Sequence, residues 1–204
     1  MSSERKLLIA TANSGKVIEF KEMTSDLQLE IVALDQFPTI AQVAETGSTF
    51  AENARLKAAG YAQQTGLPAL ADDSGLEVAA LGGRPGVHSA RYGGDVPFSE
   101  KIRMLLAELD QVSPEDRAAR FVCSIVLATP DGAICAETEG ICTGKLAQYP
   151  IGNCGFGYDP VFIPEGHDQT FGQLGSAVKA RISHRSSAFS HILPVLARFF
   201  GVLT

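Results

Sequence analysis

The alternation of apolar runs with helical patterns limits the folds open to this chain. An apolar run at residues 7–11 is ended by Asn13 and Gly15, which is typical of a buried strand that runs into a turn. Apolar residues then recur at helical spacing over residues 17–27, and a second strand is predicted at residues 30–34. This order of strand, helix and strand indicates an α/β protein.

The middle of the chain continues this order. Residues 49–52, Thr-Phe-Ala-Glu, match a helix capping box, and the helix that they start is predicted to run to about residue 64. A short strand at residues 69–71 is predicted to close at Asp72 and Asp73, since aspartate at a strand end is common in turns.

The second half of the chain adds a hairpin. Apolar residues at helical spacing over residues 102–109 predict a helix, and an alternating apolar set over residues 121–127 predicts a half-buried strand. The Pro-Asp-Gly turn at residues 130–132 joins that strand to a second one at residues 133–142, which predicts an antiparallel pair. A last helix is predicted at residues 186–201.

Together these elements predict one domain over residues 1–204, of the α/β class, with a mixed central sheet flanked by helices. Alternating strands and helices come first and the hairpin follows, so we also expect two lobes around a cleft.

The charge balance narrows the classes of partner. The 204 residues carry a net charge of −6 without a long basic run, so the basic excess of duplex-binding proteins is absent. No apolar stretch approaches the length of a membrane span, and the run after the first six residues is too short for a signal-peptide core. None of the four cysteines forms a Cys-x-x-Cys pair, so reduced thiols are predicted. We therefore expect a cytoplasmic protein that binds neither nucleic acid nor membranes.

The first candidate site is the turn between the first strand and the first helix. It comprises Thr11, Ala12, Asn13, Ser14, Gly15 and Lys16. Backbone N–H groups at a helix start bind anions, a glycine lets a phosphate come close, and a lysine adds a full positive charge. The spacing is not that of a Walker A motif, so this segment by itself fits a simple strand–helix turn equally well.

The second candidate site is acidic and consists of Glu45, Asp72 and Asp73. Oxygen ligands suit Mg²⁺, which typically takes one or two carboxylates together with substrate phosphates. Adjacent strand residues point to opposite faces, so one of the two aspartates is expected to dominate at the metal, and the spacing does not say which. Ordinary turns and caps are the alternative reading.

Two further segments contain side chains suited to binding a ligand. Two glycines in residues 155–160 bracket Phe156, so its ring is placed to stack on a base. Lys179, His184 and Arg185 supply hydrogen-bond donors suited to a carbonyl or a phosphate. A tight turn around a core aromatic and a solvated helix start are the ordinary alternatives. A Ser-His-Asp triad is less favoured, because no Gly-x-Ser-x-Gly segment is present.

Taken together and in this order, these segments resemble the inosine triphosphate pyrophosphatase family, also called dITP/XTP pyrophosphatases. The motifs that carry the resemblance are Thr11-x-Asn13-x-x-Lys16-x-x-Glu19, Glu45-Thr46-Gly47-x-Thr49-Phe50-x-Glu52-Asn53-Ala54 with Lys57-Ala58 following, Ala71-Asp72-Asp73-Ser74-Gly75-Leu76, Pro85-Gly86-Val87 leading to Ser89-Ala90-Arg91-Tyr92, Phe156-Gly157-Tyr158-Asp159-Pro160 and Ile182-Ser183-His184-Arg185. They span nearly the whole chain. Cys154 and Val178 depart from residues that are common in the family, which affects fine specificity more than the reaction.

The resemblance implies an activity. It is the Mg²⁺-dependent hydrolysis of non-canonical purine nucleoside triphosphates, ITP, dITP and XTP, to the monophosphate and pyrophosphate, which keeps deaminated purines out of nucleic acid. The resemblance also implies a homodimer, with the nucleotide bound in a cleft between two α/β lobes.

The resemblance further implies residue roles. Asp73 would bind Mg²⁺ and act as general base for a water that attacks the α-phosphorus, with Glu45 and Asp72 also serving the metal. His184 or Arg185 would donate to the 6-carbonyl of the base, which adenine lacks. The residues expected to contact substrate are Thr11, Ala12, Asn13, Ser14, Gly15, Lys16, Ser74, Phe156, Gly157, Tyr158, Asp159, Lys179, His184 and Arg185.

Two alternative functions stay open at this point. One is a Maf-like nucleotide pyrophosphatase that acts on other modified nucleotides. The other is a regulator that binds a nucleotide without hydrolysing it. Paired carboxylates argue against the regulator, because they weaken the binding of a triphosphate unless a metal and chemistry use them.

Overall fold

The first strand and the first helix form where the sequence predicts them. In the computed structural model, which describes residues 5–202, β1 spans Lys6–Ile9 and α1 spans Ser14–Met23. The side chain of Asn13 caps α1 by accepting a hydrogen bond from the Lys16 backbone N–H at 3.2 Å. The helix is shorter than the apolar spacing indicated, because a separate 3₁₀ turn follows it and Gln28 then takes a left-handed conformation.

The remaining elements follow in chain order. They are β2 (Glu30–Ala33), α2 (Phe50–Thr65), β3 (Ala69–Val78), α3 (Phe98–Glu108), β4 (Ala118–Ala128), β5 (Ile134–Leu146), β6 (Phe162–Pro164), α4 (Ser176–Ile182) and α5 (His184–Phe199). Both β6 and α4 are absent from the predictions above, because elements this short show no clear hydrophobic period. Within residues 5–202, none of the helices has the length and apolar composition needed to cross a bilayer.

The start of α2 confirms the capping-box prediction. The hydroxyl of Thr49 accepts from the Glu52 backbone N–H at 3.1 Å, and the Glu52 carboxylate accepts from the Thr49 backbone N–H at 3.3 Å. The helix ends at Gly66, which adopts a positive φ of 68°. Local side-chain chemistry therefore sets both ends of this helix.

The six strands form one mixed sheet in the order β2-β1-β3-β4-β5-β6. Strand β1, second from one edge, pairs in parallel with β2 and β3, and β5 pairs antiparallel with β6. The neighbours β4 and β5 are joined by a tight turn in which the Thr129 N–H donates to the Ala133 carbonyl at 2.9 Å. The prediction of an α/β fold with a mixed central sheet is confirmed.

One strand is longer than predicted. The sequence favours a strand end at Asp72, but β3 runs on through Asp72, Asp73 and Ser74 to Val78. Both aspartates are buried and paired with cationic side chains, so the strand conformation leaves neither carboxylate without a partner. The tertiary contacts thus override the turn preference of these residues.

The described chain divides into two compact units. The first comprises residues 5–73, 123–140 and 185–202, and the second comprises residues 74–122 and 141–184. The boundaries fall inside β3, β4 and β5 and at the beginning of α5.

In the first unit both faces of β1 are buried. Leu7 and Ile9 belong to a cluster that contains Phe20 of α1 and the buried side chains of α5. Leu8 belongs to a second cluster, which contains Ala58 and its neighbours on α2. Because side chains alternate along a strand, α1 and α5 cover one face of β1 and α2 covers the other.

In the second unit an aromatic cluster forms the core. The ring centroids of Phe121 and Phe162 lie 4.6 Å apart, and those of Phe162 and Phe171 lie 5.5 Å apart. Ile102 and Leu105 of α3 pack into the same cluster, on the apolar side of that helix.

Candidate active site

The phosphate-binding turn predicted at residues 11–16 is a short, exposed connection between β1 and α1. The Thr11 hydroxyl accepts from the Asn13 backbone N–H at 3.2 Å, which shapes the turn before the helix begins. Ala12, Asn13 and Ser14 are exposed, and Gly15 and Lys16 are half-buried. An exposed helix N-terminus with a lysine in its first turn has the features of an anion site.

The two adjacent aspartates of β3 point to opposite faces, as strand geometry requires. Asp72 contacts Lys16 and Arg185, which belong to α1 and α5. Asp73 contacts Lys57, which belongs to α2 on the other face. The pair therefore serves two separate clusters of the first unit.

The cluster around Asp72 is a buried network of opposite charges. The Lys16 ammonium lies 2.8 Å from Asp72 Oδ2, and Arg185 Nη2 lies 3.2 Å from the same oxygen. Arg185 also donates to the Glu19 carboxylate, and the Cys123 thiol donates to Asp72 at 3.8 Å. Burial acts to raise the pKa of Asp72, but the charges of Lys16, Arg185 and Lys57 outweigh it and hold that pKa well below its ordinary value.

The cluster around Asp73 is less enclosed and contains a second carboxylate. Lys57 Nζ lies 3.0 Å from Asp73 Oδ1 and 3.0 Å from Glu45 Oε1. The Asn53 side-chain amide donates to Asp73 Oδ2 at 3.1 Å. Burial raises the pKa of Asp73 by more than Lys57 and Lys16 lower it, so this carboxylate is a stronger proton acceptor than an exposed aspartate.

Glu45 and Asp73 fit a divalent cation. Their carboxylate oxygens converge on one atom that already carries positive charge, the Lys57 ammonium. Among residues 5–202 there is no group of three or more His, Cys, Asp and Glu side chains that would hold a metal by themselves. Two carboxylates suit Mg²⁺, which commonly completes its shell with water and substrate phosphates.

The structure places Asp72 apart from the other two acidic residues. Its side chain is fully buried on the opposite face of β3 from Asp73, where it contacts the cations of Lys16 and Arg185 and the Cys123 thiol. The physical reason is the alternation of side chains along a strand, which separates neighbours in sequence onto different faces.

In the second unit the loop at residues 155–160 is organised by a buried ion pair. The Asp159 carboxylate accepts from the Lys179 ammonium at 2.6 Å and from the Phe156 backbone N–H at 2.8 Å. The same ammonium lies 4.2 Å from the centroid of the half-buried Phe156 ring. Gly155 is required beside this pair, because a Cβ there would lie 2.0 Å from Asp159 Oδ2.

The loop's other aromatic residue has a packing role in this structure. Tyr158 is buried, its ring makes an edge contact with Phe98, and its hydroxyl donates to the Ser89 carbonyl at 3.0 Å. Gly157 next to it adopts a positive φ of 67°, which turns the chain between the two aromatic residues. Phe156 is therefore the ring of this loop that is better placed for a ligand.

The remaining predicted residues lie near the unit boundaries. Ser74 is half-buried in β3. His184 is buried, with its ring stacked on Phe121 at a centroid distance of 4.7 Å. Arg185 is also buried, and its Nε, Nη1 and Nη2 atoms donate to carboxylates of Asp72 and Glu19.

The sequence-based prediction assigns no binding or catalytic role to three residues of these clusters. They are Glu19, Asn53 and Lys57. Asn53 and Lys57 are one helical turn apart, so they share the face of α2 that meets β3. The signal in the sequence is that spacing, together with two polar side chains on an otherwise alanine-rich buried face.

The sequence matches the model of the Ham1 family over residues 7–195. A dITP/XTP pyrophosphatase from Streptomyces avermitilis is 45% identical over 199 residues, which cover 96% of this chain and 99% of that protein. A dITP/XTP pyrophosphatase from Geobacillus kaustophilus is 48% identical over 189 residues, which cover 92% of each chain.

Solved structures agree with this relationship. A HAM1 protein from Coxiella burnetii superimposes with a TM-score of 0.86 at 40% identity, covering 95% of this chain and 98% of that one. The Ham1 protein of Staphylococcus aureus superimposes with a TM-score of 0.81 at 38% identity, covering 96% and 98%. Matches this long and this similar, in sequence and in fold, place the chain in the Ham1 family.

Proposed function

We propose that this chain is a nucleoside triphosphate pyrophosphohydrolase that converts dITP, XTP and ITP to the monophosphate and pyrophosphate. The observation that carries the proposal is Asp73, a buried carboxylate of raised pKa that shares Lys57 with Glu45. Support also comes from the relatives, which are named dITP/XTP pyrophosphatases and match nearly the whole chain.

Asp73 is the proposed general base. A base is most effective when its pKa approaches the operating pH, and burial moves the pKa of the metal-free Asp73 carboxylate in that direction. Asn53 holds one of its oxygens at 3.1 Å, so the carboxylate is oriented before a substrate arrives. We propose that it accepts the proton of the water that attacks the α-phosphorus.

Glu45 and Asp73 are the proposed ligands of Mg²⁺, because their oxygens converge on one cationic position. When bound there, Mg²⁺ supplies positive charge that stabilises the pyrophosphate leaving group. We assign Asp72 a different task, which is to hold Lys16 and Arg185 in place.

The turn at residues 11–16 is the proposed phosphate site, since it combines exposed helix-start backbone with Lys16. The Phe156 ring is the proposed stacking surface for the base. Lys179 lies against that ring and is proposed, with His184 and Arg185, as a donor to the 6-carbonyl. All three side chains are engaged in buried contacts, so whichever one donates would first have to leave its present partner.

The proposed setting of the enzyme follows the family resemblance. We propose that residues 1–204 act as one catalytic domain in a cytoplasmic homodimer, and the family match over residues 7–195 is consistent with this. Sedimentation equilibrium of the purified protein measures the oligomeric state, and a mass of one chain would remove the dimer from the proposal.

The test is product analysis with a variant pair. Purified protein is incubated with Mg²⁺ and dITP, XTP, ITP or ATP, and phosphate products are separated by anion exchange. We expect the monophosphate and pyrophosphate from the first three and much slower turnover of ATP. Asp73→Asn should lower kcat by about 10²–10⁴-fold, the usual contribution of a general base. The matched control is Asp26→Asn, which changes an exposed aspartate of the same unit and should leave kcat unchanged.

The outcomes separate the rival functions. Orthophosphate and the diphosphate would mean attack at the γ-phosphorus and would end the proposal. Preference for pyrimidine or other modified nucleotides would favour a Maf-like activity. Binding of dITP without any product would favour a regulator.

A further inference from the structure

Lys57 occupies an unusual position for a lysine in a candidate metal site. Its ammonium lies 3.0 Å from an oxygen of Glu45 and 3.0 Å from an oxygen of Asp73, so it sits where the two proposed metal ligands converge. The side chain is 10% exposed, so this is an enclosed contact and not a solvated surface pair. A single monovalent cation thus faces two carboxylates.

Asn53 holds Asp73 and the backbone near Glu45. Asn53 donates to the second oxygen of Asp73 at 3.1 Å. The oxygen of the same Asn53 side chain accepts from the Gly47 backbone N–H at 2.8 Å, which ties the segment that carries Glu45 to α2. This close approach needs a glycine, because a Cβ on Gly47 would lie 2.6 Å from Glu52 Cβ. Asn53 therefore orders the two segments that carry the carboxylates, and Lys57 bridges the carboxylates themselves.

Formal charges compare the two kinds of cation that this position can hold. Glu45 and Asp73 carry two negative charges, and Lys57 supplies one positive charge. A divalent cation at the same position balances both carboxylates. Two cations cannot occupy one position only a few ångströms wide, because like charges at that distance repel strongly.

We propose that the Lys57 ammonium and a divalent cation occupy this position in turn, so that Lys57 leaves the carboxylates when the metal binds. This inference rests on the proposed assignment of Glu45 and Asp73 to Mg²⁺. It makes Lys57 a positioning residue that keeps the ligand pair neutralised and assembled without metal. The released ammonium needs a new anionic partner, which the phosphates of a nucleotide provide.

Two consequences follow from this exchange. Metal alone binds weakly, because it must displace an ammonium from two carboxylates. Metal and nucleotide then strengthen the binding of each other, because the nucleotide stabilises the displaced lysine, and such coupling is reciprocal.

The first experiment measures Mn²⁺ binding to the full chain without nucleotide, by the electron paramagnetic resonance of free Mn²⁺. Replacing Lys57 with methionine removes the competing charge, and we expect affinity to rise about tenfold or more, as expected for a like charge at contact distance. Lys57→Arg keeps a competing cation and should bind Mn²⁺ no more tightly than the wild type. Equal or weaker affinity in Lys57→Met would overturn the exchange.

The second experiment uses the unmodified protein, so it does not depend on a variant that folds. The rate at which acetic anhydride acetylates Lys57 is followed by peptide mass spectrometry with and without Mg²⁺. We expect Mg²⁺ to increase the rate several-fold at Lys57 and to leave the exposed Lys21 unchanged. A rate at Lys57 that stays constant or falls would contradict the release of the ammonium.

A third variant separates the exchange from the enzymatic activity. Glu45→Gln should weaken Mn²⁺ binding, which supports the shared position. Unchanged Mn²⁺ affinity in Glu45→Gln would refute that position, whereas hydrolysis of dITP is tested independently by its products.

Discussion

Replacing Asp159 with asparagine should destabilise this protein far more than breaking an ion pair on its surface. Asp159 and Lys179 form a contact of 2.6 Å between side chains that are 3% and 9% exposed. Asparagine has nearly the same shape and its oxygen still accepts from the Phe156 backbone N–H. The variant therefore removes mainly the negative charge that faces the buried Lys179 ammonium.

The magnitude follows from that burial. Removing one partner of a buried ion pair typically costs about 3–5 kcal/mol, because the other charge stays out of water without its partner. The Phe156 N–H and the Lys179 ammonium donate to the same oxygen of Asp159, and an asparagine oxygen there can still accept from them, so the lower end of about 3 kcal/mol is expected. For a chain of this length, about 2–4 °C of Tm is lost per kcal/mol, which predicts a Tm lower by about 6–12 °C.

Thermal unfolding followed by far-ultraviolet circular dichroism measures this loss. Glu137→Gln is the matched control, since it breaks the Arg55–Glu137 pair, whose side chains are 50% and 29% exposed. Exposed pairs contribute about 0–1 kcal/mol, so its Tm should fall by less than about 4 °C. Asp159→Leu combined with Lys179→Met removes both charges and should recover much of the stability lost in Asp159→Asn.

A functional readout accompanies the stability measurement. Asp159 holds the Phe156 backbone and the ammonium against the Phe156 ring, so its loss should loosen the proposed stacking surface and raise KM for dITP. Equal losses of Tm in Asp159→Asn and Glu137→Gln would refute the reasoning from burial. An unchanged KM would refute the assignment of Asp159 to the positioning of Phe156.

Two further predictions concern thiol chemistry and loop geometry. Cys135 and Cys154 are exposed, whereas Cys123 and Cys142 are buried, and burial raises the pKa of Cys123 to about 12. A thiol-disulfide reagent at neutral pH should therefore react rapidly with two of the four thiols in the native protein and with all four after unfolding. Rapid reaction of Cys123 in the native protein would contradict its burial. Gly155→Ala should destabilise the protein and raise KM, because the new Cβ would meet the Asp159 carboxylate. Gly166→Ala, at a similar positive φ but in open space, should cost only about 1 kcal/mol of backbone strain. Equal losses of Tm in the two variants would contradict the steric argument.

Much of the backbone could be predicted from the sequence because it depends on neighbours in the chain. The capping box of Thr49 and Glu52 places the start of α2, and Asn13 places the start of α1. The apolar run at residues 7–11 and the Pro-Asp-Gly turn lead to a buried strand and a hairpin. These signals act over a few residues, so no tertiary contact is needed to recognise them.

The ordered motifs also pointed to the family, which the match over residues 7–195 confirms. Residue types and spacing were enough for that, because several segments in one order are rarely shared by chance. The roles of the individual residues do not follow from the motif, since one short segment contains both the half-buried ring of Phe156 and the buried ring of Tyr158.

Only the tertiary structure decided how far β3 extends and which side chains each of its two aspartates contacts. Asp72-Asp73-Ser74-Gly75 has the composition of a turn, yet pairing and buried cations keep it extended. Asp72 then faces Lys16 and Asp73 faces Lys57, cations that are far from the strand in sequence. A carboxylate's charge state and role depend on which groups surround it in three dimensions. The sequence therefore names the acids, and only the packing of α1 and α2 on opposite faces of the strand determines which cation each of them contacts.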